Sequence, residues 1–241
     1  MTIKVSRKRN LIVVLLLFNL SSYCNLNRLA VKHGTHKSSK VHDYAVIYEK
    51  YFAPFRDAPI VFLEIGLGAG CSARMWDEYF SKAKLYFIDI VPYVVERGNK
   101  YLSAKAKCFL VDQSNKKALD DFAKRIDEEF DIIVDDGGHT MDQQLNSFIA
   151  LFPYVKSGGI YVVEDLHTSY WEKYGGNAGA GEGTTIGFFR DLVNGVNFFG
   201  AKTGCASFDA CPDKLKKTLS YYQKNIKSIH FYCSMCFIFK R

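Results

Sequence analysis

Asp136 stands three residues before His139 in the stretch FDIIVDDGGHT, and the pair Glu164-Asp165 follows in GGIYVVEDLHTSYW. Each stretch reads as an apolar, β-branched run that stops at carboxylates. In an open parallel sheet, ligands bind at the carboxyl ends of the strands. Two neighbouring strands that end in acid would gather three or four carboxylates at one spot. Such a cluster repels itself unless a cation neutralises it, and hard oxygen ligands suit Mg²⁺, Mn²⁺ or Ca²⁺. An imidazole beside the cation, here His139, is able to take a proton near neutral pH. Asp135 is expected to face away from Asp136 and so to stay out of the metal shell.

A second constellation lies upstream. FLEIGLGAG places Glu64, Gly66, Gly68 and Gly70 at a strand-to-helix turn. Glycines let the backbone approach a ligand closely and take dihedrals that other residues resist. The dinucleotide fingerprint G-x-G-x-x-G is not met. The third glycine comes one residue early, Cys71 holds the place it would need, and Glu64 precedes the first glycine by two. Asp89 lies 25 residues after Glu64, at the end of the next apolar run. A carboxylate there can accept two hydrogen bonds from ribose hydroxyls. Asp112 ends a third run, where it, Gln113 or Ser114 could meet an adenine edge. Taken alone, each acid reads as a helix cap. The glycine triplet with strand-end acids in order reads as a cofactor site.

The elements that must position these groups alternate. Residues 25 to 55 have apolar positions at helical spacing, interrupted by the polar stretch KHGTHKSSKVHD. Strands are expected at Ile60–Ile65, Leu85–Ile90, Lys107–Val111, Asp131–Val134 and Ile160–Val163. Helices are expected at Ser72–Tyr79, Asn115–Phe130 and Thr185–Phe199. Alternating strands and helices imply parallel βαβ units, and continuously apolar strands fit a sheet covered on both faces. Five glycines between Gly175 and Gly183 make a loop that reads either as a lid or as a flexible surface segment. Ile226–Tyr232 and Met235–Phe239 read as a closing antiparallel hairpin.

The 241 residues are 48% hydrophobic, enough for one globular core. Lys4, Arg7, Lys8 and Arg9 supply four of the net +7, which leaves +3 for the rest of the chain. That is a weak case for nucleic acid, which needs a concentrated basic stripe. Residues 1–24 run basic, then apolar from Leu11 to Leu20, then small and polar, the order of a secretory leader. The apolar run is too short to span a bilayer comfortably, and Tyr23-Cys24 is a poor cleavage or lipidation site. A first strand or helix packed on the domain is the alternative. Seven cysteines without paired spacing argue against a disulfide framework. Cys233-x-x-Cys236 reads as buried thiols in a strand rather than as half a zinc site. Cys205 and Cys211 would pair only in an oxidising compartment. His33, His36 and His42 fit no standard zinc spacing.

With these residues in view, the chain resembles the class I S-adenosylmethionine-dependent methyltransferases, in which E/D-x-G-x-G-x-G and the acid after the second strand hold the cofactor. More narrowly it resembles the metal-dependent sugar O-methyltransferases of macrolide biosynthesis and the rhamnosyl O-methyltransferase and cephalosporin-hydroxylase-like group. The resemblance runs from about Leu26 to Lys240, through GTHKSSKVHDY, YEKYFAPFRD, LEIGLGAG, RMWDEYF, DIIVDDGGH, GGIYVVEDLHTSYW and SIHFYCSMCFI. It implies an α/β, doubly wound Rossmann-like sheet, mostly parallel with a C-terminal antiparallel hairpin, formed by residues 25–241 as one domain. It also implies S-adenosylmethionine held by Glu64, Gly66, Gly68, Gly70, Asp89 and Asp112. Asp136, Glu164 and Asp165 would be the Mg²⁺ ligands and His139 the general base. By the same resemblance Ser38, Ser39, His42 and Tyr48 lie near the cofactor. His36 and Gly138 depart from the usual Asp and Ser of the group. His167 is expected near the site, and Tyr170 and Trp171 either stack on a sugar or pack in the core.

The function expected is methyl transfer to a hydroxyl of a sugar or glycosylated small molecule, by a homo-oligomer with no nucleic-acid partner. The alternatives are an NAD-linked oxidoreductase and a non-catalytic exported binding relative. Membrane contact is expected only through residues 1–24. The chain is cytoplasmic if that segment is not a working leader and exported or membrane-associated if it is.

Overall fold

A computed structural model describes residues 25–205 and 207–241. The expected leader, residues 1–24, lies outside the described residues. By internal contacts the chain divides into two compact units, Met1–Ala58 with Gly70–Lys82, and Pro59–Ala69 with Ala83–Arg241.

The described part of the first unit holds helices α1 (Asn25–His33), α2 (Tyr44–Phe52) and α3 (Cys71–Tyr79). Their apolar positions recur at helical spacing and meet in an aromatic cluster. Tyr48 lies 4.8 Å from Phe52 and 5.3 Å from Trp76, ring centre to ring centre. The buried Glu49 carboxylate ties the helices together by accepting the Leu26 N–H at 2.8 Å and the Tyr79 hydroxyl at 3.2 Å. The polar stretch between α1 and α2 is mostly exposed but buries Thr35, Lys37 and Ser38.

The second unit is built on one seven-stranded sheet. Its strands are β1 (Val61–Ile65), β2 (Lys84–Asp89), β3 (Ala106–Leu110), β4 (Phe130–Asp135), β5 (Val155–Val163), β6 (Ile226–Tyr232) and β7 (Met235–Lys240). The order is β3-β2-β1-β4-β5-β7-β6. The first five are parallel, and β7 runs antiparallel to both β5 and β6. This is a doubly wound, Rossmann-like sheet with the expected hairpin at one edge. Its helices are α4 (Pro92–Tyr101), α5 (Lys116–Ile126), α6 (Met141–Leu151), α7 (Thr185–Thr203), α8 (Asp213–Lys216) and α9 (Tyr221–Asn225). Side chains alternate along each strand, so Leu63 and Ile65, Ile133, and Tyr161 and Val163 share one face. That face packs with Leu119 and Phe122 of α5, Phe148 of α6 and Phe189 of α7.

Four helices were missed from the sequence, the short α8 and α9 among them. α4 begins at Pro92 and carries one buried residue, Val95, so it has no apolar stripe to see. α6 is announced by a capping box, Thr140 with Gln143, that follows directly on the catalytic-looking segment. Other elements differ at their ends. Helix α5 stops at Ile126, where Asp127 takes a left-handed φ of 54° and caps it, and Phe130 opens β4 instead. Strand β5 begins five residues before the expected Ile160, across the exposed Lys156–Gly158 segment. Among the described residues no helix is long and apolar enough to cross a membrane.

Candidate active site

The sheet reverses its winding between β1 and β4, and such a switch point opens a crevice beyond the strand ends. Register decides which residues reach it. Ile65 pairs with Ile88 and with Asp135, and Asp135 with Val163. One residue beyond that level stand Gly66, Asp89, Asp136 and Glu164. A cavity of about 230 Å³ lies here, lined by residues that include Gly66, Gly68, Asp89, Asp112, Asp136 and Gly138. Apolar walls come from Ile65, Ile88, Ile90 and Val111. Four of the sequence-derived cofactor residues therefore meet around one space.

Gly66 and Gly68 take φ of 90° and 47°. At Gly66 the need is also steric. A Cβ there would overlap the Asp136 carbonyl and come within 2.9 Å of the Gly137 Cα. The loop is held by Asp89. One carboxylate oxygen accepts the N–H groups of Leu67 at 2.8 Å and Gly68 at 3.1 Å. The other accepts the Val91 N–H at 2.9 Å. Asp112 lines the same space, and its Oδ1 also accepts the N–H and hydroxyl of Ser114 at 2.8 and 2.7 Å. Glu64 is fully buried on the face of β1 opposite Leu63 and Ile65. Gly70, in the first unit, is the N-cap of α3 with φ 73°. Ser39, in the same unit, exchanges hydrogen bonds with Asn27 at 2.8 Å.

At the ends of β4 and β5, ligand atoms of Asp136, His139 and Asp165 all lie within 4.8 Å of one another. His139 Nε2 is 3.5 Å from Asp165 Oδ2 and 3.8 Å from Asp136 Oδ1. At an effective dielectric of ~20, two carboxylates so close repel by on the order of 3 kcal/mol. Two hard oxygen donors with one imidazole suit a divalent ion. Glu164, buried at the end of β5, is not one of these three. Its N–H donates to the Asp135 carbonyl at 3.0 Å, and its carbonyl accepts from Gln144 at 2.9 Å.

His139 and Asp165 both adopt left-handed backbone, φ 58° and 54°. Non-glycine residues hold such angles only where their surroundings impose them. Thr168 supplies one such restraint, its hydroxyl lying 2.9 Å from both the His139 and Asp165 carbonyls. The second ring nitrogen of His139, Nδ1, is buried and makes no hydrogen bond with the described residues.

Asp135 does face away from Asp136. It is buried beneath the site, and Oδ1 accepts the Gln113 amide at 2.6 Å and the Gly137 N–H at 3.3 Å. Burial pushes its pKa up to about 7, against the partly offsetting bonds from Gly137 and Gln113. Gln113 closes this tie by accepting the Gly138 N–H at 2.9 Å. Its role as a brace between β3 and the Asp136 loop was not visible in the sequence, since nothing local names its partners. A Cβ at Gly138 would overlap only the side-chain amide of Gln143 in the capping box, which can turn aside.

Tyr170 and Trp171 expose 50% and 44% of their surface, which removes the core-packing alternative. Trp171 meets the His167 ring edge-on at 4.7 Å, and His167 Nδ1 lies 3.0 Å from the Ser234 hydroxyl in the terminal hairpin. The glycine-dense loop is anchored at its start by Gly176 N–H to the Trp171 carbonyl at 3.1 Å.

Residues 63–166 match a family described as a methyltransferase domain. The 8-demethyl-8-alpha-L-rhamnosyl tetracenomycin-C 2'-O-methyltransferase of Streptomyces olivaceus is 33% identical over 220 residues, covering 88% of this chain and 54% of that protein. The mycinamicin VI 2''-O-methyltransferase of Micromonospora griseorubida is 30% identical over 225 residues, covering 90% and 52%. The solved structure of MycE methyltransferase from the mycinamycin biosynthetic pathway, in complex with Mg, SAH and mycinamycin VI, superposes with a TM-score of 0.75 at 29% identity. That match covers 90% of this chain and 54% of MycE. The chain spans about half the length of the curated relatives it matches.

Proposed function

We propose that this chain transfers a methyl group from S-adenosylmethionine to a hydroxyl of a sugar or glycosylated small molecule, in keeping with the match of residues 63–166 to a methyltransferase domain. The observation that carries the reading is the convergence of Asp136, His139 and Asp165 beside the cavity at the switch point. The Mg and SAH held by MycE, and the sugar O-methyltransferase activities named for the relatives, support it. The oxidoreductase alternative has no such support.

The residues present fit a divalent ion, since the Asp136 and Asp165 carboxylates converge where unneutralised charge would be unfavourable, with the His139 imidazole beside them. Asp136 and Asp165, with Glu164 at the adjoining strand end, would hold it. When bound, the ion supplies a Lewis acid that lowers the pKa of an acceptor hydroxyl. The protein's part is positioning and proton transfer. The Gly66–Gly68 turn lets backbone approach the cofactor, and Asp89 fixes that turn while offering its outer lone pairs to ribose hydroxyls. Asp112 and the walls of Ile88, Ile90 and Val111 suit an adenine. His139 Nε2 takes the proton as the hydroxyl oxygen attacks the methyl carbon in line with the departing sulfur. No covalent enzyme intermediate is needed, and positioning supplies much of the rate. Glu64, Gly70 and Ser39 belong to the proposed cofactor site by sequence.

The test is transfer of labelled methyl to a panel of glycosylated acceptors. His139→Ala should lower turnover about 10²–10⁴-fold, the usual weight of a general base, with S-adenosylhomocysteine still bound. Asp136→Asn should weaken Mg²⁺ binding, and EDTA should abolish transfer until Mg²⁺ is restored. Full activity in EDTA would remove the metal from the mechanism. Two narrower proposals rest on sequence, namely that residues 1–24 are a leader and that the enzyme is a homo-oligomer. Intact mass of protein from an expressing culture tests the first, and light scattering the second.

A further inference from the structure

Charge is unevenly spread along this chain. Eight of the residues from Lys202 to Arg241 are basic, against the acids Asp209 and Asp213. Four of those cations, Lys216, Lys217, Lys224 and Arg241, line a single groove of about 560 Å³ with Phe208, Asp213 and Asn225. The groove lies in the second unit, and none of its residues belongs to the methyl-transfer site.

One of these cations, Arg241, is fixed by the fold. The Arg241 N–H donates to the Asn225 carbonyl at 2.7 Å, and the Arg241 carbonyl accepts the Ser157 hydroxyl at 2.9 Å. Its Nη2 donates to the Ile226 carbonyl at 3.0 Å, and its guanidinium carbon sits 4.3 Å from the centre of the Phe208 ring. The Lys216 ammonium lies 5.2 Å from the same ring centre. Arg241 is nevertheless poorly neutralised. Its Nε is buried without a hydrogen-bond partner among the described residues, and burial pushes its pKa below the usual guanidinium range, with Asp209 opposing. Asp213 pairs with Lys216 at 3.7 Å, but its side chain is 92% exposed and therefore well screened.

Four cations around one groove repel one another as carboxylates do around an empty metal shell, and the complement here is an anion. Guanidinium and ammonium groups together suit phosphoryl oxygens, one by its planar fork and the other as a point charge. A single phosphate is too small a charge for four cations. The Phe208 ring is already engaged by two of them, so the groove offers charge rather than a stacking surface for a base. From this we propose that the groove binds a ligand carrying two or more phosphoryl groups. The site is independent of the methyl-transfer reading.

The experiment uses the full chain in EDTA, so that no metal recruits phosphate to Asp136. Inorganic pyrophosphate is titrated by calorimetry at low salt. In parallel, the protein is sedimented with vesicles of phosphatidylcholine with or without phosphatidylglycerol. Pyrophosphate should bind the wild-type chain. Lys217→Gln/Lys224→Gln, which removes two of the four charges, should weaken binding by at least about tenfold. Raising salt to roughly 0.3 M should weaken it likewise. Arg241→Gln should do the same or more, with circular dichroism confirming the fold. Binding confined to the phosphatidylglycerol vesicles, and lost in the double variant, would place the phosphoryl groups on a lipid surface. Binding to neither probe, or binding indifferent to the lysine substitutions, would overturn the proposal.

Discussion

Asp89 holds the glycine turn by three hydrogen bonds at once, from Leu67, Gly68 and Val91. Removing the carboxylate therefore tests both the fold of the turn and the cofactor site. Bonds to a charged acceptor contribute about 1.5–3 kcal/mol each when buried. Gly68 and Val91 are exposed, so water can replace the carboxylate there, while Leu67 is buried. Taking about 1 kcal/mol for each exposed donor and about 1.5 for the buried one, Asp89→Ala should cost roughly 3 kcal/mol. Asp89→Asn keeps one oxygen and should cost about half as much. With a urea m-value of about 3 kcal/mol per molar, the alanine variant should unfold roughly 1 M earlier. Circular dichroism in urea reads this directly. The same two proteins should bind S-adenosylhomocysteine in the same rank order, alanine weakest, by calorimetry. A midpoint shift under about 0.2 M with unchanged binding would refute the reasoning, because the carboxylate would then hold neither turn nor cofactor.

Four further outcomes follow from the same geometry. Gly66→Ala should fail to accumulate as folded protein or lose several kcal/mol, since backbone on the Asp136 side cannot move aside as a side chain could; yield and thermal midpoint read it. Asp135, with its folded pKa raised to about 7 by burial, keeps its proton in the native chain while the unfolded chain ionises near 4. Stability should therefore fall as pH rises from about 4 to about 7, by at most about 4 kcal/mol, and then level off. Asp135→Asn should flatten that slope in urea midpoints taken at pH 5 and 8. Thr168→Val removes the hydroxyl beside the His139 and Asp165 carbonyls without changing size. It should lower turnover and shift the pH–rate profile while leaving S-adenosylhomocysteine affinity unchanged, whereas a purely structural threonine would lower the thermal midpoint alone.

Much of the sheet was readable because its parallel strands are buried on both faces and so stand out as unbroken apolar runs. The strand-end acids were readable for the same reason, each being the first charge after such a run. What escaped was structure without its own periodic signal. Helix α4 buries only Val95, so its sequence carries no stripe. The early part of β5 is exposed from Lys156 to Ser157 and passes through Gly158 and Gly159, residues that weaken a strand pattern. The burial of Lys37 within a polar stretch was equally invisible, because hydropathy speaks for the residue and not for the partners it finds.

The site shows the same division between local and non-local information. Residue type and spacing located Asp136, His139 and Asp165, since a strand end followed by a turn fixes where they must lie. The braces beneath them join residues far apart in sequence. Gln113 links the end of β3 to Asp135 and Gly138, 22 and 25 residues later, and the Thr168 hydroxyl approaches the His139 carbonyl across 29 residues. Such pairings are set by strand order, and strand order follows from how the whole sheet winds. Left-handed backbone at His139 and Asp165 is costly by on the order of 1–3 kcal/mol each, so these two residues hold their geometry only with that support. The candidate site is thus a local motif held in shape by non-local bonds. Substitutions at Gln113 or Thr168 should accordingly disturb chemistry at His139 though neither residue carries a reacting group.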